Sequence, residues 1–323
     1  MILERLYSEV IEAMNFYQLH QRPYVFAVDY GKSKGICIPF DEIDKRQINF
    51  SINEIQVKKY NKTIELQSNP IDFLDFKIPF NSIQKEIFNG NSYLTNLTFR
   101  TEIDTNYSLA EIFEYSTAKY KLWIKDSFTL FSPERFILIK DGIISTNPMK
   151  GTVMADIPNA EQLIKSNLKE RYEHNTIVDL LRNDLSMVAN QVKLERFQYL
   201  EKIRTHNNDL IQMSSEISGK IKSEYQNQFG SLLDLLLPAG SICGAPKQKT
   251  VEIIDNYEDN DRGYYTGVFG TYEPEKFECA VMIRFIEQIK DKLFFRSGGG
   301  ITALSDAAEE YEEMKNKIYV PIF

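Results

Sequence analysis

Residues 263–297 read as three strands in direct succession, 263–273, 278–288 and 292–297, with too little chain between them for a helix. Strands joined so closely run antiparallel, because a parallel neighbour needs a crossover of about a dozen residues. The grouping recurs at 24–67, with apolar or alternating runs at 24–29, 35–40 and 47–52, and again at 123–146. A further strand is predicted at 92–103, and 193–221 mixes strand and loop. Helical spacing is confined to other blocks: 1–19, where Ile2, Leu6, Val10, Ala13, Met14 and Tyr17 share a face, 79–88, 108–120, most of 159–190, 229–237, 247–257 and 306–319. Ser108 with Glu111 is a capping box. Blocks of strands and blocks of helices, without βαβ alternation, predict an α+β fold on antiparallel sheet.

The 323 residues are 43% hydrophobic and 26% charged, enough apolar material for a sizeable core. A net charge of −8 argues against nucleic acid or an anionic membrane as partner. Cys37, Cys243 and Cys279 are scattered without a CxxC, and His20, His174 and His206 show no metal-ligand spacing. There is no apolar run of membrane-spanning length and no signal-peptide core. These features predict a soluble, cytoplasmic protein.

Several stretches can carry chemistry. Asn147-Pro148-Met149-Lys150-Gly151-Thr152 follows two short strands joined by Asp141-Gly142, a dipeptide suited to a two-residue hairpin turn. Pro148 restricts φ and Gly151 permits close backbone approach, so a tight turn there presents Lys150 either to a cavity or to solvent. Glu310 and Glu313 stand one helical turn apart, and Glu173 lies on a separate helical stretch. Together they form either a site for a hard cation or a solvated acidic face. Gly298-Gly299-Gly300 lies between a strand and a helix, where bare amides can meet an anion. Arg284 is read on a strand, as an exposed edge residue or a buried anion fork. Tyr265 offers a phenol or strand packing, and Arg182-Asn183-Asp184 reads as a structural ion-pair network.

Taken in order, these stretches resemble the chorismate-utilising enzymes, and within them the aminodeoxychorismate synthase branch. The residues that carry the resemblance are Ser132-Pro-Glu-Arg-Phe136, Pro148-Met-Lys-Gly-Thr152, Lys169-Glu-Arg-Tyr-Glu-His174 leading into Ile177-Val-Asp-Leu-Leu-Arg-Asn-Asp184, and Pro238-Ala-Gly-Ser-Ile-Cys-Gly-Ala-Pro-Lys247. Arg262-Gly-Tyr-Tyr-Thr-Gly267, Ala280-Val-Met-Ile-Arg284 and Gly298-Gly-Gly-Ile301 through to Lys317 complete the set. The match is strong over 90–323 and weak over 1–89, and it implies one catalytic domain over 1–323. In that domain two large antiparallel sheets pack between outer helices.

The resemblance implies roles. Glu173, Glu310 and Glu313 would hold Mg²⁺ against the ring carboxylate of chorismate. Arg284, Tyr265, the amides of Gly298, Gly299 and Gly300, and Lys317 would bind the enolpyruvyl carboxylate, with Gly151 and Thr152 also lining the substrate. The residue at position 150 sorts the family's chemistry, and a lysine there implies covalent addition to C2, with Glu134 as general acid. Such a lysine must be partly neutral, which Mg²⁺ and arginine charge would favour. Gln212 stands where the family often has histidine, and no tryptophan-binding motif is recognisable. With no amidotransferase cysteine motif in the chain, ammonia is expected from a separate glutaminase subunit.

Overall fold

The computed structural model describes residues 4–54, 63–203 and 210–322. The expectations for Ile2, for the β-rich stretch at 55–62 and for the loop at 204–209 lie outside the described residues. Among the described residues every strand pairing is antiparallel, and the strands form two sheets. The first runs Arg5–Leu6, Lys34–Pro39, Tyr24–Val28, Val268–Glu273, Lys276–Val281, Arg135–Lys140, Ile143–Thr146 and Leu210–Ile221. Met149–Met154 continues beside Leu210–Ile221, and Ala189–Ile203 lies on that strand's other side. The second runs Gly244–Ala245, Leu94–Thr105, Lys292–Ile301, Phe285–Ile289, Phe128–Ser132, Tyr120–Ile124 and Ile48–Ile52, with Leu66–Asn69 also on Leu94–Thr105.

Strand periodicity explains the layering. In Tyr24–Val28 all five residues are buried, as expected of a strand covered on both faces. Val25 and Ala27 point between the sheets, where they meet Leu122, Leu130, Phe269 and Phe285. Tyr24, Phe26 and Val28 point the other way, into a core completed by Val10 and Met14 of the helix Tyr7–Leu19, Leu181 of Leu168–Val188 and Leu233 of Phe229–Leu236. Helices Phe73–Phe88, Lys247–Tyr257 and Ala307–Asn316 cover the second sheet through Phe76, Phe80, Ile253 and Met314 against Leu97 and Ile301.

Four expectations are corrected. The helix placed at 79–88 begins at Phe73 and carries Pro79 inside it. The lost amide donor is outweighed by burial of Phe76, Phe80, Ile83 and Ile87 along one stripe. The helix placed at 108–120 is Leu109–Tyr115, capped by Ser108 and Glu111 as expected, and Tyr120 opens a strand. The loop expected at 240–247 contains a one-turn helix, Gly240–Cys243, and a two-residue strand.

The strand placed at 278–288 is two strands, Lys276–Val281 in the first sheet and Phe285–Ile289 in the second. The chain passes between sheets at Met282, Ile283 and Arg284. It makes the reverse passage at Pro133-Glu134, between Phe128–Ser132 and Arg135–Lys140. The two passages lie side by side: Phe131 N donates to the Arg284 carbonyl at 3.1 Å and Val281 N to that of Glu134 at 3.2 Å.

Phe269 is fully buried between the sheets. Phe269→Ala should lower unfolding free energy in urea by about 3–5 kcal/mol, because the cavity cannot collapse between two hydrogen-bonded sheets. A loss below about 1 kcal/mol would contradict this placement of the core.

Candidate active site

The paired passages deliver two of the expected residues. Arg284 has φ +52°, an uncommon conformation for a side chain this large. It is thus neither an exposed strand-edge residue nor a buried fork, but a half-buried residue at the crossing. Its guanidinium lies 5.3 Å from the Tyr319 ring centroid, with Nε 3.4 Å from the Tyr319 hydroxyl. Glu134 is partly buried, and its Oε1 accepts a 2.6 Å hydrogen bond from Ser241 Oγ. Burial pushes the Glu134 carboxyl above its ordinary range, opposed by Ser241 and by the charges of Lys150 and Arg284. Tyr265 is buried among the inter-sheet apolar residues, 5.9 Å from the Phe285 ring and with the Arg296 guanidinium 5.4 Å from its own. Burial raises its phenol pKa, while Arg262, Arg296 and Arg284 pull it down.

Lys150 does not sit in a tight turn. It lies on the strand Met149–Met154, where Met149 pairs with Ser214 and Thr152 with Gln212. Lys150 and Gly151 therefore face the single residue Met213, a bulge that re-aims a side chain. Gly151 has φ +78°, and a Cβ there would stand 3.2 Å from Glu170 Oε2. The Thr152 side chain is outside the described structure. Lys150 Nζ stands 3.8 Å from Glu173 Oε2. Burial draws its pKa down, but Glu173, Glu134, Glu313 and Glu170 together raise it, so the amine is held as ammonium.

The three expected glutamates converge. Glu173 and Glu310 are buried, and Lys169 Nζ reaches all three carboxylates, at 2.6 Å to Glu310, 3.7 Å to Glu313 and 4.0 Å to Glu173. Lys317 Nζ pairs with Glu313 at 2.7 Å and donates to the Gly298 carbonyl at 2.7 Å. Gly298, Gly299 and Gly300 are not a loop but the end of the strand Lys292–Ile301, paired with Thr98, Leu97 and Asn96. A Cβ at Gly298 would strike the Leu97 carbonyl, one at Gly299 would stand 3.2 Å from Glu310 Oε2, and one at Gly300 3.1 Å from Glu173 Oε2. Strand Phe285–Ile289 pairs only as far as Arg296, so among the described residues no strand pairs with the glycines' other edge. Bare amides therefore remain on that edge beside the carboxylates.

The charges here are strongly perturbed. Burial pushes Glu173 up to about 7, with Glu170 and Glu310 adding to the effect and Lys150 and Lys169 opposing it. Glu313 is also desolvated, but Lys317, Lys169 and Lys150 hold it down at about 2. Among the described residues no three His, Cys, Asp or Glu side chains stand at metal-ligand spacing. Lys169 provides the positive charge at the centre of the cluster. Of the two oxygens of buried Glu310, Oε1 is held by Lys169 at 2.6 Å and Oε2 accepts no hydrogen bond among the described residues. An orphaned buried oxygen in an all-carboxylate donor set fits a hard divalent cation.

Sequence reasoning left Lys169, Glu170 and Ser241 without roles. Lys169 stands four residues before Glu173, a spacing that puts ammonium and carboxylate on one helical face. Ser241 has no such local signal, since its partner lies 107 residues away. The structural reading of Asp184 holds, in an ion pair of 2.7 Å with Lys247. Gln212 is half-buried opposite Thr152 on the bulged pair.

The chorismate binding enzyme family matches residues 11–322, and the chain belongs to it. An uncharacterized PabA-like protein of Haemophilus influenzae is 46% identical over 319 residues, covering 97% of this chain and 96% of that one. Aminodeoxychorismate synthase component 1 of Salmonella typhimurium is 27% identical over 312 residues, covering 91% of this chain and 67% of that one. The structure of MenF, the menaquinone-specific isochorismate synthase of Escherichia coli, superposes with a TM-score of 0.74 at 16% identity, over 98% of this chain and 82% of that one, and so shares the fold. The protein is a chorismate-utilising enzyme. No described helix is long and apolar enough to cross a membrane.

Because Glu173 binds its proton more tightly folded than unfolded, its contribution to stability is greatest at low pH and is lost as pH rises through about 7. Without divalent cation, the stability difference between Glu173→Gln and the parent should move in the variant's favour by on the order of 3 kcal/mol between about pH 5 and about pH 8. Urea unfolding at both pH values measures it, and a pH-independent difference would contradict the assigned environment.

Proposed function

We propose that the enzyme converts chorismate and ammonia to 4-amino-4-deoxychorismate, the aminated precursor of p-aminobenzoate in folate synthesis, with residues 1–323 acting as one catalytic unit. The observation that carries this reading is a lysine amine, Lys150, inside the carboxylate cluster, 3.8 Å from Glu173, with the charge of Glu134 acting on it. A nucleophile and an acid acting at opposite ends of one conjugated diene are what substitution of the C4 hydroxyl through C2 requires.

Arg284, Lys317 and the unpaired amides of the glycine strand bind and orient a dianionic substrate, with the Tyr265 phenol lending a hydrogen bond. Glu173, Glu310 and Glu313 would hold Mg²⁺, which when bound supplies charge that anchors a substrate carboxylate and offsets the carboxylates keeping Lys150 protonated. Neutral Lys150 Nζ then forms a bond to C2, both conjugated ring double bonds shift by one position, and the C4–O bond breaks. Glu134 gives its proton to the departing oxygen, which leaves as water. Ammonia forms a bond to C4, both double bonds shift back, and the C2–N bond breaks to release Lys150 as the free amine. Glu134 recovers its proton from the new C4 ammonium or solvent. The resemblance to component I proteins supports a separate glutamine amidotransferase subunit as the ammonia source.

Purified protein with chorismate, Mg²⁺ and ammonium should give 4-amino-4-deoxychorismate, and Lys150→Ala should lower its formation by several orders of magnitude while keeping the fold. Anthranilate, isochorismate or salicylate as the main product would place the enzyme in another branch of the family. Chorismate binding without turnover would make it a binding or regulatory relative. Full aminodeoxychorismate synthesis by Lys150→Ala would remove the covalent route.

A further inference from the structure

The one-turn helix Gly240–Cys243 is held from several directions, and at its centre a side chain reaches the reacting groups. Gly240 packs so closely on the helix Leu168–Val188 that a Cβ would stand 2.6 Å from Leu180 Cδ2 and 3.3 Å from Asp184 Oδ2. The Ile242 carbonyl accepts 2.8 Å from buried Arg262, itself paired with Glu258 at 2.7 Å. Cys243 Sγ lies 3.8 Å from the Tyr30 hydroxyl. Gly244, with φ +131°, lies against the Leu94 carbonyl, where a Cβ could not fit. Lys247 closes the segment by reaching Asp184 at 2.7 Å and the Leu236 carbonyl at 2.9 Å. Ser241 is thus set on a backbone with little freedom to move, and its Oγ–H donates to Glu134 Oε1 at 2.6 Å.

We propose that Ser241 is the positioning residue for the general acid, fixing the Glu134 carboxyl by one oxygen so that the other carries the transferable proton. The proposal rests on the reading of Glu134 as that acid. A carboxyl on a two-residue passage between sheets is otherwise free to rotate about its last two torsions, and each misplaced rotamer takes the proton out of reach of the leaving oxygen. With Oε1 occupied by the serine hydroxyl, the proton resides on Oε2. When the Oε2–H bond breaks and the proton leaves with the C4 oxygen as water, the Ser241 hydrogen bond is retained and strengthens, because its acceptor is now charged. The serine therefore holds the conjugate base more tightly than the acid. The other charged groups acting on this carboxyl, Lys150 and Arg284, favour the base in the same direction.

Steady-state kinetics with chorismate, Mg²⁺ and ammonium over a range of pH test the proposal on the intact chain. Ser241→Ala should lower kcat by about 10- to 100-fold, the range for a hydrogen bond to a charged group, with KM for chorismate nearly unchanged. Its alkaline limb, where Glu134 loses its proton, should shift to higher pH, since the donor that favours the carboxylate is gone. Ser241→Thr keeps the hydroxyl and should restore both kcat and the limb. A Ser241→Ala enzyme with parental kcat and limb, alongside an inactive Glu134→Gln, would overturn the role of Ser241 and leave the acid in place. A fully active Glu134→Gln would overturn the acid reading and this proposal together.

Discussion

Two short passages of chain, Pro133-Glu134 and Met282-Ile283-Arg284, tie the two sheets together. They run side by side, joined by the hydrogen bonds from Phe131 N to the Arg284 carbonyl and from Val281 N to that of Glu134. On one side the strands Arg135–Lys140 and Lys276–Val281 pair in the first sheet, and on the other Phe128–Ser132 and Phe285–Ile289 pair in the second. A sheet buried on both faces has no tolerance for an unpaired backbone group at such a junction, so the exchange of amide and carbonyl there is obligatory. The residues that turn the corner cannot continue the pleat. That is why Arg284 adopts a left-handed conformation, and why Glu134 and Arg284 enter the site while Met282 stays in the core between the sheets.

Around these passages the electrostatics are set by an excess of buried and half-buried carboxylate. Glu170, Glu173, Glu310 and Glu313 share one region with Lys150, Lys169 and Lys317, and burial makes each ion dependent on its neighbours. The consequence differs by residue. Glu313, gripped by Lys317, stays ionised, whereas Glu173 is raised toward neutrality and Lys150 is held charged. An amine held as ammonium is not a nucleophile. The arrangement is therefore primed to change when positive charge is added among the glutamates. Gly299 and Gly300 give those carboxylates room, because a Cβ at either would press on Glu310 Oε2 at 3.2 Å or Glu173 Oε2 at 3.1 Å.

Much of this was legible in the sequence. Strand blocks without intervening helices led to antiparallel sheets, and Asp141-Gly142 adopts the paired positive φ values of a tight hairpin, +52° and +73°. Lys150, Glu173, Glu310 and Glu313 were singled out from motif and spacing, and the fold brings them together. Two kinds of information were not readable. Which sheet a strand joins leaves no mark on its own pattern, so the break at Met282-Ile283-Arg284 and the strand character of the glycine run were missed. Pairings between distant residues, such as Ser241 with Glu134, carry no local periodicity either. Pro79 failed for a third reason: helix propensity yielded to the burial of a phenylalanine-rich face.

The central claim is that Lys150 becomes covalently bound to the substrate. Rapid acid quench of the enzyme with chorismate and Mg²⁺, in the absence of ammonia, followed by intact-mass and peptide analysis, tests it directly. The account predicts a protein species heavier by chorismate less one water, with the added mass on the peptide that contains Lys150, and its disappearance when ammonium is added before the quench. Turnover to the aminated product with no such species at any quench time, in an enzyme whose Lys150→Ala variant remains active, would contradict it.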